Sequence, residues 1–115
     1  MANDFKNAIA QNVSNAAGGT TIYTTPATKT SIMLELDIAN TTQNVVEASV
    51  EILDSSVSAS AWRYLVKNAP VPSGGSLMVI AGQKIVLEAG DKVRVTSSAA
   101  SVVDAVAAIL EDVNS

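Results

Sequence analysis

Residues 101–115, SVVDAVAAILEDVNS, admit two readings, and the fold turns on which one holds. As a helix, Val102, Val103, Val106, Ile109, Leu110 and Val113 form one apolar stripe, capped by Ser101 with Asp104 three residues on. As a strand, Val103, Ala105, Ala107 and Ile109 face one way, and Val102, Asp104, Val106, Ala108 and Leu110 face the other. The alanines favour helix by local propensity. A sheet whose last edge needs pairing favours strand, because tertiary context overrides propensity. Pattern alone leaves the two even.

The segments upstream all read as strands. In KTSIMLELDIAN, Ile32, Leu34, Leu36 and Ile38 alternate with Met33, Glu35 and Asp37, which places four aliphatics on one face. After the turn NTTQN, Val46, Ala48, Val50 and Ile52 share a face and Glu47, Ser49 and Glu51 the other. These two segments are expected to form an antiparallel pair with one wet side. Next comes AWRYLVKN, with Trp62, Tyr64 and Val66 on one face, and then APVPSGG, read as a loop by its prolines and glycines. SLMVI is a short apolar strand; Ala81-Gly82-Gln83 turns it into KIVLE, and Glu88 to Asp91 turns that into KVRVTS, where Val93 and Val95 face in. Thr20 to Thr25 is a further β-branched run, stopped by Pro26. Strand signals recur about every ten residues, the spacing of an all-β sandwich or barrel. Residues 1–19 read as an N-terminal arm onto a neighbour or as a first strand, and residues 20–115 as one sandwich domain. The expected inward set is Ile32, Leu34, Leu36, Ile38, Val46, Val50, Ile52, Val93 and Val95.

The chain has 115 residues, 48% of them hydrophobic and only 16% charged. An ordinary soluble domain carries about 25% charge. A thinly charged surface points to cover by copies of the chain or by a partner. Net charge is −4, so a general nucleic-acid binder is not expected. No run of 18 apolar residues occurs, so no membrane span is expected. Asp4 and Lys6 interrupt the first segment before a secretory apolar run forms.

The chemistry-bearing residues are few. There is no His and no Cys, so His-based triads, thiolate chemistry and the histidine metal centre of cupins are excluded. No catalytic residue, cofactor or metal is expected. Glu35, Asp37, Glu47 and Glu51 could gather into a Ca²⁺ or acid/base cluster, although a solvated sheet face explains them more simply. Trp62 and Tyr64, two apart, suit either a sugar-stacking platform or a subunit contact. SLMVI is apolar on both faces, Leu77 and Val79 on one and Met78 and Ile80 on the other. A sandwich buries only one of those faces, so a neighbour is expected to cover the second.

Five stretches, taken in order, carry a resemblance: Thr21 to Ala27 (TIYTTPA), Ile38 to Thr42 (IANTT), Leu65 to Pro72 (LVKNAPVP), Leu87 to Asp91 (LEAGD) and Thr96 to Ser101 (TSSAAS). Together they resemble a group of small virion structural proteins of tailed bacteriophages, over about residues 8–112. Their order and spacing carry the resemblance. The resemblance implies a jelly-roll β-sandwich of about eight strands, with residues 101–113 as strand. It implies a non-enzymatic virion component that self-associates as a trimer or ring. Capsid, portal or tail proteins would be its partners, as capsid cement or decoration or as a neck or collar part. The candidate interface is Phe5, Ile9, Trp62, Tyr64, Val66, Pro70, Val71, Pro72, Met78 and Ile80. The alternative is a glycan-binding module on the same particle.

Overall fold

The computed structural model describes residues 4–16, 18–58, 61–100 and 102–111. Among them are eight strands and no helix: β1 (Asp4–Ala10), β2 (Thr20–Thr24), β3 (Ser31–Asn40), β4 (Val46–Leu53), β5 (Trp62–Val71), β6 (Ser76–Leu87), β7 (Lys92–Ser97) and β8 (Val103–Glu111). Their pairing is nested and antiparallel throughout. β1 pairs with β8, β2 with β7, β3 with β6 and β4 with β5. The chain is thus one long hairpin with β4 and β5 at its tip. Lateral pairing of β3 with β8 and of β4 with β7 rolls that hairpin into two sheets, ordered β1-β8-β3-β6 and β2-β7-β4-β5. This is an all-β antiparallel sandwich of jelly-roll type, as the sequence and its resemblance imply.

The contested segment is strand. Val103, Ala105, Ala107 and Ile109 are buried and alternate with more exposed neighbours along β8. Ser101 and Val113, which belong to the helical reading, lie outside the described residues. Residues 4–10 form the first strand of the sandwich, hydrogen-bonded to β8, rather than an arm laid on a neighbour.

Four expectations need correction. β3 and β4 are not a hairpin pair. Residues 41–45 carry the chain from one sheet to the other, and Asn40 anchors that corner. Its buried amide donates to Asn44 O (2.6 Å) and Val71 O (3.1 Å), and its carbonyl accepts from Thr42 N (2.9 Å). Second, β6 runs unbroken from Ser76 to Leu87, so residues 81–83 are strand and not a turn. The register slips there instead, from Met33↔Ile85 to Glu35↔Ala81. Third, β5 continues through Ala69, Pro70 and Val71. Pro70 is tolerated because β5 is an edge strand, with one row of backbone groups unpaired.

Fourth, the inward set changes phase along β3. The register shift between Met33 and Glu35 is a β-bulge, and a one-residue bulge reverses which side chains face the core. Ser31 and Met33 are therefore buried before it, and Leu36, Ile38 and Asn40 after it, while Ile32 and Leu34 turn outward and are only half-buried. Ile52 is likewise partly buried at the core margin. Leu36, Ile38, Val46, Val50, Val93 and Val95 are buried as expected, joined by Val71, Ile80, Leu87, Val103 and Ile109. With so few aromatics, the space between the sheets is filled by aliphatic interdigitation.

The connections sort to two poles. The connections β2–β3, β4–β5 and β6–β7 join strand ends at one, where Asp4 pairs with Glu111, and the other four join strand ends at the opposite one. Glu-Ala-Gly-Asp forms its expected tight turn, with Asp91 N bonded to Glu88 O (2.9 Å) and Gly90 at φ 85°. At the first pole the carboxylate of Glu111 is buried. It accepts from Tyr23 Oη (2.6 Å) and pairs with Lys6 Nζ (2.8 Å), and Tyr23 Oη also meets Ser31 Oγ (2.9 Å). One carboxylate so ties β1, β2, β3 and β8 together. The bonds from Lys6 and then Tyr23 hold Glu111 below its ordinary range. Burial, then the bond to Glu111, pushes the Tyr23 phenol up to about 12.

Leu36→Ala is expected to cost about 2–5 kcal/mol in a denaturant titration, by the lost contacts and the cavity left behind. Exposed Glu35→Ala should shift the same curve within about 0.5 kcal/mol. A folded-state carboxyl held low stabilises above the ordinary carboxylate range and loses that stabilisation as pH falls through its lowered value. Glu111→Gln should therefore lower the thermal midpoint at neutral pH. The gap from the parent should close below about pH 4, read by circular dichroism melts across pH.

Candidate interaction surface

The outer face of the β1-β8-β3-β6 sheet is built by register. Phe5 stands opposite Leu110, Leu110 opposite Ile32, and Ile32 opposite Val86. An apolar row so crosses all four strands. Two steps along β8, Ile9 stands opposite Val106, Val106 opposite Asp37, and Asp37 opposite Met78. Between the rows lie Asn7, Ala108 and Glu35. The large side chains at the ends of these rows are open to solvent, Phe5 76%, Ile9 64%, Met78 62% and Val86 62% exposed, as is Val106 within the second row at 45%. Gathering on one face distinguishes them from the isolated surface apolar residues any protein carries. The acidic members are Glu35, Asp37 and Asp104. Asp104 Oδ1 accepts from Asn12 N (2.9 Å). Asp37 Oδ1 is buried between apolar neighbours and has no hydrogen-bond partner among the described residues.

The outer face of the β2-β7-β4-β5 sheet is different in kind. Glu51 stands opposite Tyr64 on β5 and Arg94 on β7. Arg94 binds both oxygens of Glu51, Nε to Oε1 at 3.0 Å and Nη2 to Oε2 at 3.2 Å. The same guanidinium lies 3.8 Å from the centre of the Trp62 ring, and Lys67 Nζ lies 5.2 Å from that of Tyr64. Trp62 is half-buried and Tyr64 half-exposed. Both therefore lie on an outer sheet face, each ring already engaged by a cation. No enclosed pocket opens among the described residues.

The expected interface residues divide accordingly. Phe5, Ile9 and Met78 come together on the first face, and Trp62 and Tyr64 on the second. Pro70 is exposed on edge strand β5, and Pro72 in the connection that follows. Val71 and Ile80 are core residues, fully and almost fully buried, and Val66 packs against the core opposite Val50. The apparent two-faced run SLMVI misleads because of a second bulge. Leu36 pairs with Ile80 but Asp37 with Met78, so Ile80 turns in while Met78 turns out. Sequence reasoning missed Val86 and Val106. Their signal was present: KIVLE and VVDAV each carry apolar residues on both strand faces.

The four carboxylates that could have formed a cluster do not come together. Glu35 and Asp37 lie on one sheet, and Glu47 and Glu51 on the other. A different trio, Asp54, Glu88 and Asp91, converges at the first pole. Asp91 there serves the backbone: Oδ1 accepts from Ser55 N (3.0 Å) and Ser55 Oγ (2.9 Å), and Oδ2 from Glu88 N (3.0 Å). It pins the 54–61 connection to the 88–91 turn.

No family model, no curated protein and no solved structure matches the chain.

Asp91→Ala is expected to cost about 1–3 kcal/mol, since it leaves the part-buried backbone donors of Ser55 and Glu88 without their acceptor. Chelator should leave the thermal midpoint of the parent chain unchanged. A chelator-dependent fall would instead assign Asp54, Glu88 and Asp91 to a bound cation.

Proposed function

We propose that this chain is a non-enzymatic structural protein of a bacteriophage virion, working through its surfaces. The observation that carries the structural role is the pair of apolar rows on the outer face of the β1-β8-β3-β6 sheet. A face with Phe5, Ile9, Met78, Val86 and Val106 open to water is costly for a free monomer and useful in an assembly. The virion as setting is supported by the order and spacing of the five sequence stretches between Thr21 and Ser101. Capsid cement or decoration and a neck or collar part both fit a self-associating sandwich that meets a capsid, portal or tail protein. The glycan-binding reading has less support, because a cation already lies over each of the two rings that would stack on a sugar.

A reconstruction of the assembled particle tests this. The chain is expected in it, with Phe5, Met78 and Val86 against protein density. Absence of the chain from purified particles, or these three side chains facing open solvent there, would overturn the proposal. Replacing Phe5 and Val86 together by Ser should change stability little and reduce incorporation into particles, read by quantitative gel analysis.

A further inference from the structure

We infer that the two outer faces of the sandwich are complementary to each other, so that copies of the chain associate head to tail: the β1-β8-β3-β6 face of one on the β2-β7-β4-β5 face of the next. The inference rests on the self-associating structural role above and specifies its geometry.

Charge gives the first argument. The apolar face carries Glu35, Asp37 and Asp104, with Lys84 exposed beside the bulge of β6. Three acids against one base make it acidic. The opposite face carries Lys67, Lys92 and Arg94 against Glu47 and Glu51, three bases against two acids. Since Glu51 and Arg94 satisfy each other, Lys67 and Lys92 remain against Glu47. Two copies of the acidic face brought together about a two-fold axis would set Glu35, Asp37 and Asp104 against the same three residues. Like charges at an interface are penalised, and opposite ones steer the encounter. The basic face is the better match.

Hydrogen-bonding capacity gives the second. Glu35 is an exposed carboxylate between the two rows. A second acidic face offers it Lys84 alone as a charged donor. The basic face offers the Lys67 and Lys92 ammonium groups, the Trp62 indole N–H and the Tyr64 hydroxyl.

Area gives the third. Four strands about 4.8 Å apart and some seven residues at about 3.3 Å give a face of roughly 400–450 Å². A stable interface takes about 800 Å² from each partner. A two-fold dimer through one face covers only half of that per copy. Each head-to-tail contact has the same area, but every copy makes two of them, so the area buried per copy is twice that of a two-fold dimer through one face. Such a contact is heterologous: the copies close into a ring or run on as a filament according to the rotation between them.

The chain has no cysteine, so introduced thiols report contacts without background. Asn7→Cys marks the acidic face on its edge strand β1, and Thr21→Cys the basic face on its edge strand β2; both side chains are exposed. The two variants, one carrying a mass tag, are mixed and treated with a short bis-maleimide. Cross-links between tagged and untagged chains, with few between like variants, are the expected result. Cross-linking of Asn7→Cys with itself would overturn the head-to-tail geometry and leave the self-associating role standing. No cross-links, together with a monomer in sedimentation at every concentration, would overturn the geometry, while the chain's presence in particles is judged separately by the reconstruction. As a second readout, Glu35→Lys and Lys92→Glu should each weaken association about tenfold or more. Their combination should recover much of the loss. Two single variants that associate as the parent does would overturn the charge argument.

Discussion

The sandwich depends on β8 holding two ladders at once. It lies between β1 and β3, and its removal would leave both without partners along that edge. Its inward positions are Val103, Ala105, Ala107 and Ile109, small at the centre and larger at the ends. Helix propensity differences of a few tenths of a kcal/mol per residue are outweighed by a strand that satisfies neighbours on both sides. Glu111 then finishes the strand with a buried carboxylate that gathers Lys6 and Tyr23. That carboxylate joins the second sheet, through β2, to three strands of the first.

Much of this architecture was legible because alternation and turn chemistry are local. The Leu36–Ile38 and Val93–Val95 faces and the Glu88–Asp91 turn follow from residue type and spacing. The phase reversals did not follow. A bulge opposite Glu35 and another opposite Asp37 are set by two strands meeting in register, and neither strand encodes that alone. The same limit explains Val71 and Ile80. Each sits in a segment whose pattern marked it as surface, and each is turned inward by its partner strand. The pairing of β3 with β8 rather than with β4 is likewise non-local, since a short polar connection suits a hairpin and a sheet-to-sheet corner equally well.

The surface was legible in its chemistry and not in its geometry. Low charge pointed to apolar outer surface, and Phe5, Ile9 and Met78 were recognisable members of it. Their assembly into rows required β1 to pair with β8, across nearly the whole length of the chain. The sheets then divide the surface labour. One outer face is apolar and acidic, and the other is aromatic, cationic and internally bonded through Arg94 and Glu51. Such asymmetry between the two sides of a thin sandwich gives the molecule a direction.

The nested pairing also has a topological meaning. Asp4 and Glu111 are cross-strand partners, so β1 begins and β8 ends side by side at one pole. A short peptide bridge there would close the backbone into a loop of nested hairpins without bending a strand. The ring so formed could be reopened in the Pro72–Gly75 connection, at the far pole, with all the ladders kept. The fold is therefore a circular permutation family in waiting. A passenger peptide grafted at either pole would be displayed away from both sheet faces, and the sandwich would serve as a two-ended scaffold.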